Sequence, residues 1–448
     1  MKHYLLALVT GGLLVTTPPA LAQSGSATDL GKAVAADYDD KLEALFLDFH
    51  RNPELSYKET RTAAIMAKEW RAAGWDVTEK IGGTGVVAVM RNGDGPTLML
   101  RADMDGLPLV EDSGLDYKST ARQISIDGQE KPVMHACGHD VHITSLIGTA
   151  RRLSAMKDQW RGTVVLIAQP AEERIGGAKL MMDDGLYTRF PKPDFAMAFH
   201  VSSDTPTGKL ALREGISSSS SDSVDITVHG IGAHGASPHR GKDPVVMGAQ
   251  IIMNLQTLVS REIAPLNPAV VTVGSFHSGF KHNIISDKAE MQLTVRSDDQ
   301  ETREKLLEGI KRISEHVGRM NGLPDDKLPT VTISQERTPA TYNDAALTRR
   351  IKTLFSERFG PDVFDEQPRE GMGAEDFAYF VAPNTDVPGV YFAVGGTPQS
   401  AFDAAEAGGP PVPSHHSPFF KVSPRESVTL GTEAMTAAAL DLLAPQTE

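Results

Sequence analysis

The sequence predicts an α/β protein: a main domain with a mostly parallel sheet flanked by helices, interrupted by an inserted ferredoxin-like α/β domain. Three observations predict it. Helices alternate with short, mostly apolar runs at 97–102, 163–168 and 195–199, the pattern of strands buried on both faces of a parallel sheet. Each run leads into polar residues: Asp103-Met104-Asp105 after the first, Glu172-Glu173 after the second, His200 after the third. Residues 223–334 then read strand, helix, strand, strand, helix, strand, which is a sandwich of its own.

The chain opens with Lys2, an apolar run over 4–15, and Ala20-Leu21-Ala22. That is the form of an export signal with a small-x-small cleavage site. The run is shorter than the roughly 20 residues a membrane span needs. It predicts a signal peptide over 1–22, cleavage after Ala22, and an exported protein, periplasmic or secreted. Residues 23–37 are small and polar and read as a flexible lead.

Asp39 to Asn52 reads as an amphipathic helix, with Leu42, Leu45, Phe46 and Phe49 at helical spacing. Pro53 ends it. A second helix runs from Glu59 to Ala73 and stops at Gly74. Gly85–Met90 is a short apolar strand, followed by the run at 97–102. A polar connection over 112–132 leads to a segment rich in histidine. Helices at 141–156 and 176–183 flank the strand at 163–168, and the first part of the main domain is 23–214.

Composition changes near Gly215. Ser217 to Ser221 is a serine run, read as a flexible hinge or junction. The inserted domain, 215–335, holds strands at Ser223–Val228, Ala269–Phe276, Ala289–Arg296 and Thr330–Ser334. Its helices span Asp243–Glu262 and Gln300–Met320, the second with Leu306, Leu307, Ile310, Ile313 and Val317 along one stripe. The main domain resumes over 336–448. It contributes a helix at Ala345–Phe359, a glycine-rich turn at Gly371–Phe377 opening a helix, and a strand at Gly389–Val394. A Pro/Gly/Ala-rich loop (395–413) and a last helix, Pro424–Leu443, complete it.

The chain carries 44 basic and 58 acidic residues, a formal charge of −14. No basic run offsets this, which argues against nucleic acid and anionic membrane as partners. The single cysteine cannot form an internal disulfide, although export leads to an oxidising compartment.

That cysteine lies in Met134-His135-Ala136-Cys137-Gly138-His139-Asp140-Val141-His142. Thiolate, imidazole and carboxylate are the side chains that bind borderline metals such as zinc. Gly138 lets the backbone turn Cys137 and His139 toward one point. Taken alone, Cys137 also fits a small buried hydrophobe or a nucleophile paired with histidine. An exposed thiol is open to oxidation, and either ligation or deep burial protects it. In open α/β sheets, sites form beyond the carboxyl ends of the strands. Three polar clusters at three successive strand ends therefore point to one site.

Five motifs carry a resemblance. Arg101-Ala-Asp-Met-Asp105-Gly-Leu-Pro108, His135-Ala-Cys-Gly-His-Asp140, Gln169-Pro-Ala-Glu-Glu173, Gly232-Ala-His-Gly-Ala-Ser-Pro-His239 and Gly373-Ala-Glu-Asp-Phe377 resemble the aminoacylase/carboxypeptidase family of co-catalytic metallohydrolases. The match is with its amidohydrolase branch, which includes hippurate hydrolases, indole-acetyl-amino-acid hydrolases and N-acetyl-diaminopimelate deacetylases.

The resemblance implies two divalent metal ions, Zn²⁺ or Mn²⁺, held by Cys137, His139, Glu173, His200 and His416, with Cys137 between them. It makes Glu172 the general base and acid, and Asp105 a carboxylate that orients a ligand histidine. His234 of the inserted lid would touch the substrate carbonyl, with the partner subunit of a homodimer as one source. Asn283 and Arg296 would contact the substrate carboxylate. Asp103, Asp105 and Asp140 are the available acceptors for fixing histidine tautomers. His142 is read as structural, and His416 rather than His415 as the ligand because it directly precedes Ser417-Pro418. His239 is read as shaping its loop.

Three functions follow as alternatives. The first is an exported metal-dependent amidohydrolase of N-acyl or N-aminoacyl amino acids. The second is a metallo-dipeptidase or carboxypeptidase on the same site. The third is a metal- or ligand-binding periplasmic protein on a retired hydrolase fold. A substrate panel separates the first two; tight metal binding without hydrolysis would mark the third.

Overall fold

The computed structural model describes residues 24–445; the segment read as a signal peptide, 1–22, lies outside them. Among the described residues no helix is long and apolar enough to cross a membrane.

The main sheet has seven strands: β1 (Asp76–Ile81), β2 (Gly85–Asn92), β3 (Thr97–Asp103), β4 (Gly162–Gln169), β5 (Phe195–Pro206), β6 (Leu210–Ala211) and, far along the chain, β11 (Gly389–Thr397). Their spatial order is β1-β2-β4-β3-β5-β11-β6. The four central strands are mutually parallel, with antiparallel pairs toward both edges. Both faces are covered, as their largely apolar sequences require. One face packs on Phe46, Trp70, Leu146 and Phe355, the other on Met181, Phe377 and Phe380.

Helices α1 (Ser24–Asp37), α2 (Glu43–Arg51), α3 (Thr60–Ala72) and α4 (His139–Ala155) precede β4, and α5 (Gly177–Asp183) follows it. Val141, Ile147, Ala150 and Leu153 of α4 are buried, each large apolar side chain contributing about 1.5–3 kcal/mol. That burial fixes the helix whose first residue is His139.

The second sheet has four antiparallel strands: β7 (Ser221–His229), β8 (Ala269–Ser278), β9 (Lys288–Ser297) and β10 (Thr330–Thr338), in the order β8-β9-β7-β10. Helices α6 (Pro244–Thr257) and α7 (Gln300–Met320) pack on it through Met247, Ile251, Leu255, Leu306 and Ile310. This is the ferredoxin-like arrangement that the alternating strands and the striped helix predict. Each helix is capped by an aspartate, Asp243 accepting from Val245 and Asp299 from Thr302.

Four expectations need correction. The lead before Asp39 is helical, because Leu30 and Val34 bury against Ala437 of the C-terminal helix. The strand expected to end at His200 continues to Pro206, since β11 keeps pairing with it through His200↔Ala393 and beyond. The serine run is a built joint rather than slack chain. Ser217 and Ser218 lie in a short strand, and Ser219–Ser221 are buried. Ser219 Oγ donates to Asp298 at 2.6 Å, and its N–H donates to Gly373 O at 2.8 Å. Finally, the 395–413 loop contains a helix, α9 (Gln399–Glu406), after α8 (Ala345–Phe359) and before α10 (Pro424–Leu442).

Candidate metal centre

The site lies past the carboxyl ends of β3 and β4, against β5 where it runs on beyond them. Three backbone devices aim its side chains. Gly138 caps α4 at φ 81°, where a Cβ would sit 2.3 Å from Val201 Cγ1, so only glycine brings Cys137 and His139 to one side of the helix start. After β4 the chain turns through Ala171 (φ 50°) into a single 3₁₀ turn over Glu172–Arg174. Asp105 holds this turn: it accepts the backbone N–H groups of both Glu172 and Glu173 at 3.1 Å, and Ser56 Oγ at 2.6 Å. Glu59, wholly buried, accepts the N–H of Ala171 at 2.8 Å. Adjacent glutamates thereby face one centre. Lastly, His416 adopts φ 61°, and its N–H donates to Ala136 O at 2.9 Å.

Cys137 is the hub. Its Sγ lies 3.4 Å from Nε2 of His200 and 3.3 Å from Nε2 of His416. His416 Nε2 is 3.4 Å from Oε2 of Glu173. His139 Nε2 is 3.9 Å from an oxygen of Glu172 and from Oε1 of Glu173. Ligand atoms of Cys137, His139 and His200 all lie within 4.8 Å of one another, as do those of Cys137, Glu173 and His416. The two triples share the sulfur.

These residues fit metal ions. Both ring nitrogens of His139 and Oε1 of Glu173 are buried without a hydrogen-bond partner, a state that costs about 1–3 kcal/mol per group. Ligands at about 2.0–2.3 Å from one tetrahedral ion stand roughly 3.3–3.8 Å apart, close to the separations seen. Burial, then Glu375 and Glu173, pushes the Glu172 carboxyl well above its usual range. Burial raises Glu173 to about 8 despite His139, and burial with Glu173 and Glu172 pushes the Cys137 thiol up. Cations would bring such crowded groups to their charged, ligating forms.

Tautomers are set by the surroundings. His200 Nδ1–H donates to Val201 O at 2.6 Å, which presents Nε2 to Cys137. His139 Nδ1 faces Asp105 Oδ1 at 3.4 Å. His142 is structural: Nδ1–H donates to Asp103 at 2.6 Å and Nε2 accepts the N–H of Val201 at 2.8 Å. His415 Nε2 accepts from Ser203 N–H at 3.1 Å, behind His200. Asp140 serves no ligand histidine; it pairs with His50 at 2.7 Å.

The three substrate-side residues stand apart. His234 is exposed on a two-residue strand, its Nδ1 accepting from Ala236 N–H at 3.0 Å. Asn283 is exposed, and Arg296 is half-buried beside Thr294. Among the described residues no hydrogen bond or ion pair joins them to the Cys137 cluster.

Sequence reasoning missed Arg101. It is 1 % exposed and bonds Asp103 at 2.6 Å, Glu375 at 2.7 Å and Gln169 at 2.8 Å. Oxygens of Glu172, Glu375 and Asp376 lie within 4.8 Å of one another. Burial and Glu375 raise Asp376 to about 8, against Arg101. Arg101 opens the first of the five motifs and Glu375 lies in the last, but only the fold shows that they meet.

A family model described as Peptidase family M20/M25/M40 matches residues 99–408. The chain belongs to the M20/M25/M40 peptidase family. Members of this family are hydrolases acting on amide bonds, and this chain is a metal-dependent amidohydrolase or peptidase of it. It is 37 % identical over 345 residues to the hippurate hydrolase of Campylobacter jejuni, covering 77 % of this chain and 86 % of that one. Thermostable carboxypeptidase 2 of Saccharolobus solfataricus is 38 % identical over 350 residues, covering 77 % and 83 %. The crystal structure of Bacillus subtilis YXEP, described as a dinuclear metal binding peptidase of the M20 family, superposes with TM-score 0.71 at 26 % identity. It covers 92 % of this chain and 99 % of its own.

Proposed function

We propose that this M20/M25/M40 family member is an exported amidohydrolase that cleaves N-acyl amino acids with a pair of divalent ions, Zn²⁺ or Mn²⁺. The observation that carries the reading is the pair of ligand triples sharing Cys137, with Glu172 alongside. Likeness to a hippurate hydrolase over most of the chain supports the substrate class. The inserted lid is taken as 215–335.

Cys137, His139, Glu173, His200 and His416 would hold the ions. When bound, they would polarise the scissile carbonyl and lower the pKa of water toward neutrality. Glu172 would take the water's proton and deliver it to the leaving amine; its burial, 6 % exposed, and the tether of its N–H to Asp105 support that role. Arg101 fixes Glu375 and Asp376 beside it. His234 would reach the substrate carbonyl from the partner subunit of a homodimer; its exposure and its lack of contact with this chain's own centre support that arrangement. Asn283 and Arg296 would hold the substrate carboxylate. The export signal read over 1–22 supports a periplasmic or secreted location.

Likeness to a carboxypeptidase favours a second reading, a metallo-dipeptidase or carboxypeptidase on the same residues. One experiment tests both. Metal-stripped enzyme is reloaded with Zn²⁺ or Mn²⁺ and assayed on N-acetyl and N-benzoyl amino acids and on dipeptides. Turnover of the N-acyl series is expected. Cleavage of dipeptides alone would establish the second reading instead.

A further inference from the structure

The turn that carries Glu172 and Glu173 is strained at both ends. Ala171 before it and Ile175 after it hold left-handed backbone, φ 50° and 51°, an outlier conformation for a β-branched residue such as Ile175. Strained backbone persists only where its surroundings determine it. Glu59 holds the first end: one of its oxygens accepts the N–H groups of Ala171 at 2.8 Å and of Tyr57 at 2.9 Å. Arg174, the last residue of the turn, is tied elsewhere. Its Nη2 pairs with Oε1 of Glu336 on β10, a strand of the second sheet.

β10 is shaped for this contact. The step from Asp222 to Val224 on β7 faces the longer step from Arg337 back to Ile333 on β10. That is a β-bulge, a device that re-aims side chains beside active sites. Inside it the N–H of Glu336 donates to Ser334 Oγ at 3.1 Å, while the carboxylate meets Arg174. The next two residues touch the same centre. Arg337 O accepts from the Tyr379 hydroxyl at 2.7 Å, on the 3₁₀ segment Asp376–Phe380. Thr338 Oγ1 donates to Glu375 O at 3.5 Å. Oxygens of Glu172, Glu375 and Asp376 lie within 4.8 Å of one another, so three consecutive residues of β10 bear on the segments that hold these carboxylates. The strand has its own anchor: Asp222, opposite Arg337, is buried and takes two bonds from Arg303 of α7, at 2.7 and 2.8 Å.

We propose that Arg174 is a positioning residue: its pair with Glu336 fixes the Glu172–Glu173 turn against the second sheet and so sets the direction of the base. The inference rests on the reading of Glu172 as that base. The side chains of Arg174 and Glu336 are 36 % and 40 % exposed, and an ion pair so open to water adds little to the stability of a fold. Its effect falls on turnover instead, because a small misplacement of a reacting group lowers the rate without unfolding the chain.

The test is a double-variant cycle in the full metal-loaded enzyme: Arg174→Gln, Glu336→Gln and the two together. Rates are measured on N-acetyl and N-benzoyl amino acids and on dipeptides, and stability by urea unfolding. Each single variant should lower kcat about fivefold, the upper end for a half-exposed ion pair, with KM and the urea midpoint unchanged. The double variant should lose no more than either single one, since each substitution breaks the same contact. Unchanged kcat in both single variants overturns the proposal. So do losses that multiply in the double variant, and losses that follow a lowered urea midpoint. Failure of the underlying reading looks different: Glu172→Gln would then keep full turnover.

Discussion

The Nε2 of His416 lies 3.3 Å from the Sγ of Cys137 although 279 positions separate them. The contact is a fixed feature of the backbone. His416 holds a left-handed conformation, φ 61°, which for a non-glycine residue costs of order 1–3 kcal/mol. Its N–H is tied to Ala136, one residue before Cys137. Strain at that position is sustained because the surrounding chain determines it, and the result is an imidazole aimed at the sulfur.

Removing the sulfur should therefore disable both halves of the centre. Cys137→Ala is expected to lower metal content below one ion per chain and to reduce kcat/KM by at least about 100-fold, since even supporting residues are worth about 10–100-fold. Metal analysis of the purified variant checks this. Two ions retained per chain would show that the thiolate is not shared.

Under the proposed reading Glu172 and Glu173 separate by function although they are neighbours. Glu172→Gln should keep its metal and lose kcat by about 10²–10⁴-fold, the usual range for a positioned proton-transfer group. Glu173→Gln should lose metal as well. Unimpaired turnover in the Glu172 variant would contradict its role as the base.

Much of this centre was legible in the sequence because most of its donors sit in short motifs, Cys137 and His139 at the start of α4 and Glu173 just past β4. Cys137, His139, Glu173, His200 and His416 do converge. What the motifs could not show was how they are held. Asp105 was read as orienting a histidine, and it faces His139 at 3.4 Å. Its shorter contacts, however, are to the turn that bears both glutamates. The Arg101–Glu375 contact spans 274 positions, and no local pattern encodes such a pairing. The helix at 399–406 was hidden by a segment whose glycines and prolines flank it rather than interrupt it. The helix before Asp39 was hidden because its apolar residues are few and gain their burial from distant parts of the chain, Met156, Leu354 and Ala437 among them.

Asp105→Ala tests that scaffold. Two backbone N–H groups and the Ser56 hydroxyl lose their acceptor, each at a cost of about 1–3 kcal/mol when buried. The variant should unfold at lower urea concentration and bind metal about 10–100-fold more weakly. Asp105→Asn, which keeps the shape and one acceptor oxygen, should recover part of both. Full metal affinity in Asp105→Ala would mean that the turn holds its form without the carboxylate.

The last prediction concerns pH and lies under the start of α4. His50 is buried between Asp140 at 2.7 Å and Glu111 at 3.1 Å. Burial alone would lower its pKa, but the two carboxylates outweigh it and raise the value from 6.5 to about 9. A raised histidine stabilises the fold fully below its unfolded pKa of 6.5, and that stability is lost as pH climbs through about 9. The shift corresponds to on the order of 3 kcal/mol. Asp140 and Glu111 are lowered against burial chiefly by the same hydrogen bonds to His50, so their contribution holds above the normal carboxylate range and fades in acid. Other groups titrate in the alkaline window, including Glu173 and Asp376, so the measurement is a difference. Urea unfolding of the natural chain and of His50→Gln, both from pH 5 to 9.5, should give a gap that is widest near pH 6 and narrows toward pH 9. A gap that stays constant across that range would show that His50 is not charged in the fold.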